Sequence, residues 1–435
     1  MDVTKDEVPV PGTPEAAQAD GGAALPASGT PVGKRFVATV TIAFFGTWLA
    51  LLPSTTVTLA LRVQQIAPGD KTSVLSMVLA VGAAVALIAQ NLFGALSDRT
   101  TSRFGMRRPW IAGGALLGLG GLVLLAAAST VWMLLLAWCL VQLLFNVLLA
   151  GLNPVLPDHV PSRQLGKVSA LAGLTQQLGI VGGVFLVQLL LPDLTLAIVL
   201  PGVVCLAAVA VFLPVLKDRR LTRSERRPLR ARDLLLAYWT NPRKAPDFAW
   251  AWVSRFLVTA GNFTLSSYQT YFLMDRFGYT PATIGSAVFR VLLATSIAVV
   301  ATSLVFGAVS DRIGRRKVFV LVSAIVLALA HILAACAASF TVFLVAAVIG
   351  GVATGCYIAV DMALVAEVLP SRADAGKDMG VFHLANVLPQ TLVPAVAPAF
   401  LAIGGGRDNY PAFFIAGAVA GVLGAIANQR IRTVR

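Results

Sequence analysis

The chain has 435 residues, of which 57% are hydrophobic and 12% charged, about half the roughly 25% charged share of a soluble globular domain. So few polar side chains cannot cover a water-facing surface, which excludes a soluble globular protein. The net charge of +14 follows the loops of the chain, so no nucleic-acid partner is expected.

In chain order, residues 1–33 are rich in Pro, Gly and Ala, carry Asp2, Asp6, Glu7, Glu15 and Asp20, and read as a disordered tail without a cleavable signal peptide. Twelve apolar runs follow, at about 36–61, 73–97, 109–129, 131–156, 168–191, 194–215, 248–273, 283–310, 318–338, 340–366, 378–403 and 411–429. Each is long enough to cross roughly 30 Å of hydrocarbon as helix. This is the pattern of an all-α polytopic membrane protein; a β-barrel shows short alternating segments instead. The breaks alternate between strongly basic and nearly uncharged. Lys34 and Arg35, Arg99 to Arg108, Arg163 and Lys167, Lys217 to Lys244, Arg312 to Lys317, Arg372 and Lys377, and Arg430 to Arg435 fall on one side. The other side holds Arg62, Lys71, Arg276 and Arg407. Basic loops stay in the cytoplasm, so both termini are placed there, in a multi-pass protein of the cell membrane.

The break at 216–247 divides the chain into two six-helix halves, 34–215 and 248–429, ahead of a short cytoplasmic tail at 430–435. Within this linker, 229–239 reads either as a solvated tether or as a short amphipathic helix on the anionic inner leaflet. Cys139, Cys205, Cys336 and Cys356 all lie in apolar runs without ligand spacing and read as buried packing residues. No metal and no cofactor is expected.

The halves repeat one another at their loops. Gly94-Ala95-Leu96-Ser97-Asp98-Arg99 recurs as Gly307-Ala308-Val309-Ser310-Asp311-Arg312. Each copy closes an apolar run and precedes a basic cluster, Arg103, Arg107 and Arg108 in one, Arg315, Arg316 and Lys317 in the other. A second repeat runs from Asp158 to Arg163 and from Glu367 to Arg372, between the fourth and fifth spans of each half. This alignment sets Gln176 opposite Asn386 and Asp361 opposite Leu152. The first half therefore has no counterpart to the charge at Asp361.

Twelve spans in two parallel halves, a basic central loop, and this motif after spans 2 and 8 resemble the major facilitator superfamily over everything after residue 34. The copy Gly307-x-x-x-Asp311-Arg312-x-Gly314-Arg315-Arg316-Lys317 is similar to that superfamily's standard loop pattern. The first copy is stretched, reaching Phe104-Gly105 and Arg107-Arg108-Pro109-Trp110 later. That form, together with Gly380, Asn386, Pro389 and Gln390 in span 11, is similar to the cation-coupled glycoside and sucrose symporters. The antiporter subgroups carry an Arg in span 4 and a Gly-Pro motif in span 5. Here the run from Trp132 to Leu156 has no Arg, and Gly179-Ile180-Val181-Gly182-Gly183 has no Pro, which argues against proton-driven efflux.

The loop motif suits an intracellular gate. Gly94 and Gly307 let helices approach closely. If the halves meet in pseudo-symmetry, Asp98 faces the start of span 11 and Asp311 the start of span 5. There, unpaired N–H groups and the helix dipole favour a carboxylate. Arg99, Arg107, Arg108, Arg312, Arg315 and Arg316 supply charge-assisted bonds, with Asp158 and Glu367 as partners. Such a gate is intact when the protein opens outward and broken when it opens inward, one half rocking against the other. The alternative is that these loops only set topology and meet lipid headgroups.

Three ionisable residues lie well within the spans, Arg255, Arg290 and Asp361, and a charge there costs several kcal/mol on insertion scales of about 2.5–3.5 kcal/mol or more. Arg255 is about seven residues into span 7, roughly 10 Å at 1.5 Å per residue, and Asp361 lies at comparable depth in span 10. The resemblance implies that spans 1, 4, 7 and 10 line the central cavity, so the two are expected to face one another and pair. Asp361 is then the candidate for proton coupling, its alternative being a structural salt bridge. Arg255 has the alternative of snorkelling to headgroups, and Arg290 is expected to snorkel. Gln142, Asn146, Gln176, Asn262, Gln269, Asn386 and Gln390 are candidates for a hydroxyl-rich solute, joined by Tyr268; their alternative is interhelical hydrogen bonding. Trp48 and Trp250 can stack on a sugar or anchor at the interface. His383 reads as a structural or solvated residue, its alternative being a proton carrier, and His331 receives no role.

The function expected is secondary active transport of a small polar solute, a sugar or glycoside, coupled to protons by a monomer in the lipid bilayer; sodium stays open as the ion. The rivals are drug or metabolite efflux and a non-transporting member acting in pigment delivery or sensing. An enzyme is not expected, since no nucleotide loop, metal-ligand cluster or paired catalytic carboxylates occur in the sequence.

Overall fold

The computed structural model describes residues 31–222, 245–313, 316–368, 375–406 and 408–431. Twelve long helices run through them: α1 (Lys34–Ile66), α2 (Lys71–Ser97), α3 (Arg108–Ala127), α4 (Val131–His159), α5 (Ser162–Leu190), α6 (Leu194–Phe212), α7 (Pro246–Phe277), α8 (Ile284–Ile313), α9 (Arg316–Ala335), α10 (Phe340–Val368), α11 (Ala375–Leu401) and α12 (Tyr410–Gln429). No strand occurs among the described residues. The candidate surface helix at 229–239 lies outside them.

Eleven of these helices are long and apolar enough to cross a membrane. The one that falls short is α7, whose middle carries Thr259, Asn262, Thr264, Ser266, Ser267, Gln269 and Thr270. Its position explains the exception. It packs on α10, α11 and α12 and reaches α1 across the molecule, so protein rather than lipid surrounds much of it. Several helices also extend past the apolar runs, because polar residues at bilayer ends continue a helix without cost. Thus α5 begins at Ser162, directly after Pro161, which has no N–H to lose.

The packing repeats in the two halves. The contacts α1–α5, α1–α6, α2–α4, α3–α4 and α3–α6 have counterparts in α7–α11, α7–α12, α8–α10, α9–α10 and α9–α12. The halves meet along two seams, α2 against α11 and α5 against α8. Small residues set the closest crossings. A Cβ on Gly179 would stand 3.0 Å from the backbone nitrogen of Leu49 on α1, and one on Gly351 would stand 2.8 Å from the carbonyl of Thr295 on α8. The motif glycines do not serve this purpose. Among the described residues a Cβ on Gly94 meets nothing within 4 Å, and one on Gly307 meets only Ala359 at 3.9 Å.

Of the cysteines, Cys205 and Cys356 are buried and Cys139 is intermediate, while Cys336 is exposed near the end of α9. An apolar run predicts a membrane position but not which face turns inward.

Candidate functional site

One face of α7 carries Arg255, Thr259, Asn262, Ser266 and Gln269, spaced alternately by four and three residues, which stacks them in a single stripe along the helix. At its lower end Arg255 forms an ion pair with Asp361 of α10. Asp361 is 7% exposed, and Tyr357, one turn earlier on α10, hydrogen-bonds it. The guanidinium lies 4.7 Å from the ring centroid of Phe382 on α11, a distance at which the ring face attracts a cation. Its Nε has no hydrogen-bond partner among the described residues. Further along the stripe, Thr354 of α10 donates to Asn262 Oδ1 at 2.9 Å, and Thr259 donates to Asn386 Oδ1 of α11 at 3.2 Å. Gln269 is 3% exposed and its Nε2 is without a partner among the described residues.

The other candidates divide. Gln390 donates to the Asn386 carbonyl at 3.3 Å and Asn146 to the Gln142 carbonyl at 2.7 Å, each four residues back on its own helix. Gln176 is exposed. Its neighbour Gln177, which the sequence did not single out, accepts from Ser296 of α8 at 3.4 Å across the α5–α8 seam. Trp48 touches α5 at Gly179, and Trp250 is exposed. Tyr268 is fully buried and leaves the stripe for α2. His383 is exposed. His331 is buried between α9 and α7, its ring nitrogens 2.8 Å from the carbonyls of Leu327 and Gly261. Arg290 is exposed and stacks 4.6 Å from the Phe340 ring.

At the basic end, Arg107 is the centre. Its side chain, 4% exposed, contacts Asp98 at 2.5 Å, Asp158 at 3.1 Å and Ser97 Oγ at 3.1 Å. All of these belong to the first half, so Asp98 is held here by its own half through Arg107. Arg99 donates to the Ala95 carbonyl at 2.6 Å, and Arg108 donates to the Leu216 carbonyl. Arg312 is exposed and Arg316 half-buried. The side chains of Asp311 and Glu367, and Arg315 as a whole, lie outside the described residues. A groove of about 520 Å³ opens here between α1 and α5, lined by Lys34, Thr41 and Gln164 among others.

The opposite end is closed by contacts between the halves that the sequence did not reveal. Lys71 of α2 meets Asp275 of α7 across the halves at 2.5 Å, and within the second half Tyr410 of α12 donates to the other oxygen of Asp275 at 2.6 Å. Tyr271 donates to the Ala60 carbonyl of α1 at 2.8 Å, Thr270 to the Thr56 carbonyl at 2.6 Å, and Tyr268 pairs with Ser76 of α2. Thr56 belongs to a π-turn at Ser54–Thr58, directly after Pro53, where Ser54, Thr55 and Thr56 return their hydroxyls to carbonyls four residues back. Such turns bend a helix and concentrate at functional places. The available signal was the run Tyr268, Tyr271, Asp275 on one face of α7.

The family model for the Major Facilitator Superfamily matches residues 36–295 and 251–434. No curated protein sequence matches the chain. Among solved structures, a bacterial homologue of the human lysosomal transporter Spinster, inward-facing and occupied, is 14% identical with a TM-score of 0.68, over 92% of this chain and 97% of that one. The nucleoside transporter NupG is 16% identical with a TM-score of 0.70, over 91% and 99%. A POT family transporter in complex with 5-aminolevulinic acid is 12% identical with a TM-score of 0.73, over 92% and 98%.

Proposed function

The chain belongs to the major facilitator superfamily, and from that premise we propose that it carries a small polar solute, a sugar or glycoside, together with protons across the cell membrane by alternating access. It is a multi-pass membrane transporter and not an enzyme. In this reading the basic end faces the cytoplasm, with both termini, and the monomer is the working unit. The buried Arg255–Asp361 pair at the foot of a polar stripe is the observation that carries the coupling.

A buried ion pair is strongly destabilised when one partner alone is neutralised, by about 3–5 kcal/mol. Protonation of Asp361 therefore releases Arg255 to a new acceptor, and a solute hydroxyl or ring oxygen fits that need. Proton and solute favour one another's binding through this shared cation, which is the reciprocity that symport requires. The amides of Asn262 and Asn386 lie further along the same face and suit hydroxyl groups, since each both donates and accepts. A lone carboxylate suffices for a proton, whereas sodium needs several converging oxygens. The closed far end and the basic end held by contacts within the first half fit an inward-open state, with Lys71, Asp275 and Tyr410 as the outer gate. Asp98, Asp311 and the surrounding Arg residues form the inner gate, which assembles when the outer one parts.

Counterflow of radiolabelled sugars, glycosides and dyes in proteoliposomes tests this, with and without an imposed proton gradient. Accumulation of a sugar or glycoside that grows with the gradient supports it. Exchange of dyes alone points to efflux, and exchange of nothing removes the transport reading of this solute class.

A further inference from the structure

The first residues of the linker are fastened to the start of α3 and to His159. Three consecutive backbone N–H groups at the start of α3 point at them. Met106 donates to the Arg219 carbonyl at 3.0 Å, and Arg107 and Arg108 donate to Asp218 Oδ2 at 2.7 and 2.8 Å. Arg108 also donates to the Leu216 carbonyl, and the His159 ring lies 2.9 Å from the Lys217 carbonyl. Gly105 makes room for the carboxylate. Its φ is +106°, and a Cβ there would collide with Asp218. The helix start has no cap of its own, because residue 107 is an Arg. Asp218 satisfies the orphan N–H groups from a distance of 111 residues in sequence, and its charge suits the helix dipole.

Arg107, the residue thus fixed, is also the one that spans Asp98 and Asp158. We propose that Asp218 is the positioning residue of the inner gate. By pinning the Arg107 backbone it keeps the guanidinium on Asp98, which holds that carboxylate away from the second half and favours the state open at the basic end. Asp218 acts only through Arg107. The inference rests on the alternating-access reading but not on any solute or coupling ion.

The test measures conformation, not transport. In full-length protein with the four cysteines replaced by Ser, spin labels at Arg163→Cys and Ile313→Cys place one probe on the exposed basic end of each half. Their distance distribution is recorded in lipid nanodiscs. Asp218→Ala is expected to raise the short-distance, closed population relative to the open one about fivefold, the size of one helix cap. In an Arg107→Gln background the same change is expected to have no further effect. Asp218→Asn, which keeps an acceptor but not the charge, gives a smaller shift of the same sign and replaces Asp218→Ala if that variant does not reach the membrane. An unchanged distribution in either variant, or an equal shift with and without Arg107, overturns the proposal. Should the distances respond while no sugar is transported, only the solute assignment falls.

Discussion

Asp361 and Arg255 are costly as single charges and tolerable as a pair, and that asymmetry yields a measurable consequence. Arg255→Gln leaves a buried carboxylate beside Tyr357, whereas the double variant Arg255→Gln/Asp361→Asn leaves no charge. The single variant is expected to lose more stability than the double, by up to about 3–5 kcal/mol, read as a lower apparent melting temperature in detergent. Equal melting of the two variants would mean that the pair carries little mutual energy. This pair was legible in the sequence because a charge inside an apolar run stands out and its depth can be counted along a helix. The amides were not so legible. Asn146 and Gln390 spend their donors on carbonyls of their own helices, a local choice that residue type does not reveal. Asp218 was hidden for another reason: nothing in helical periodicity says where a linker folds back.

Among the helices, α7 joins the most roles. One face carries the polar stripe, and its end joins the first half through Tyr268, Tyr271 and Asp275. Apolarity alone undervalues it, because a helix enclosed by protein need not look like lipid-facing sequence. If Lys71–Asp275 is the outer gate, Asp275→Lys puts two cations together and is expected to lower uptake about tenfold or more, the effect of roughly 1.4 kcal/mol. The swap Lys71→Asp/Asp275→Lys is expected to recover much of it, measured as initial uptake rate at equal protein incorporation. No recovery in the swap would assign Asp275 to Tyr410 rather than to Lys71. At the α8–α10 crossing, Gly351→Leu is expected to destabilise the second half, since a side chain there meets backbone that cannot step aside. A melting temperature unchanged by Gly351→Leu would show that this crossing has slack.

The molecule as a whole is a repeat with unequal halves. Packing is matched helix for helix, yet the buried Arg255–Asp361 pair lies in the second half and the described ion pairs of Arg107 in the first. The duplicated loop motif made the architecture readable, because loop charge and span length survive without knowledge of packing. Which end is closed was not readable, since it depends on contacts such as Thr270 with Thr56 that pair ordinary residues from distant helices. In the proposed function these parts meet at one point: a proton on Asp361 is exchanged in step with solute. The most direct measurement compares wild-type protein with Asp361→Asn in proteoliposomes, recording both counterflow and gradient-driven accumulation of a transported sugar. Asp361→Asn is expected to keep counterflow and to lose accumulation above equilibrium. Accumulation in Asp361→Asn that still follows the proton gradient as in the wild type would contradict it.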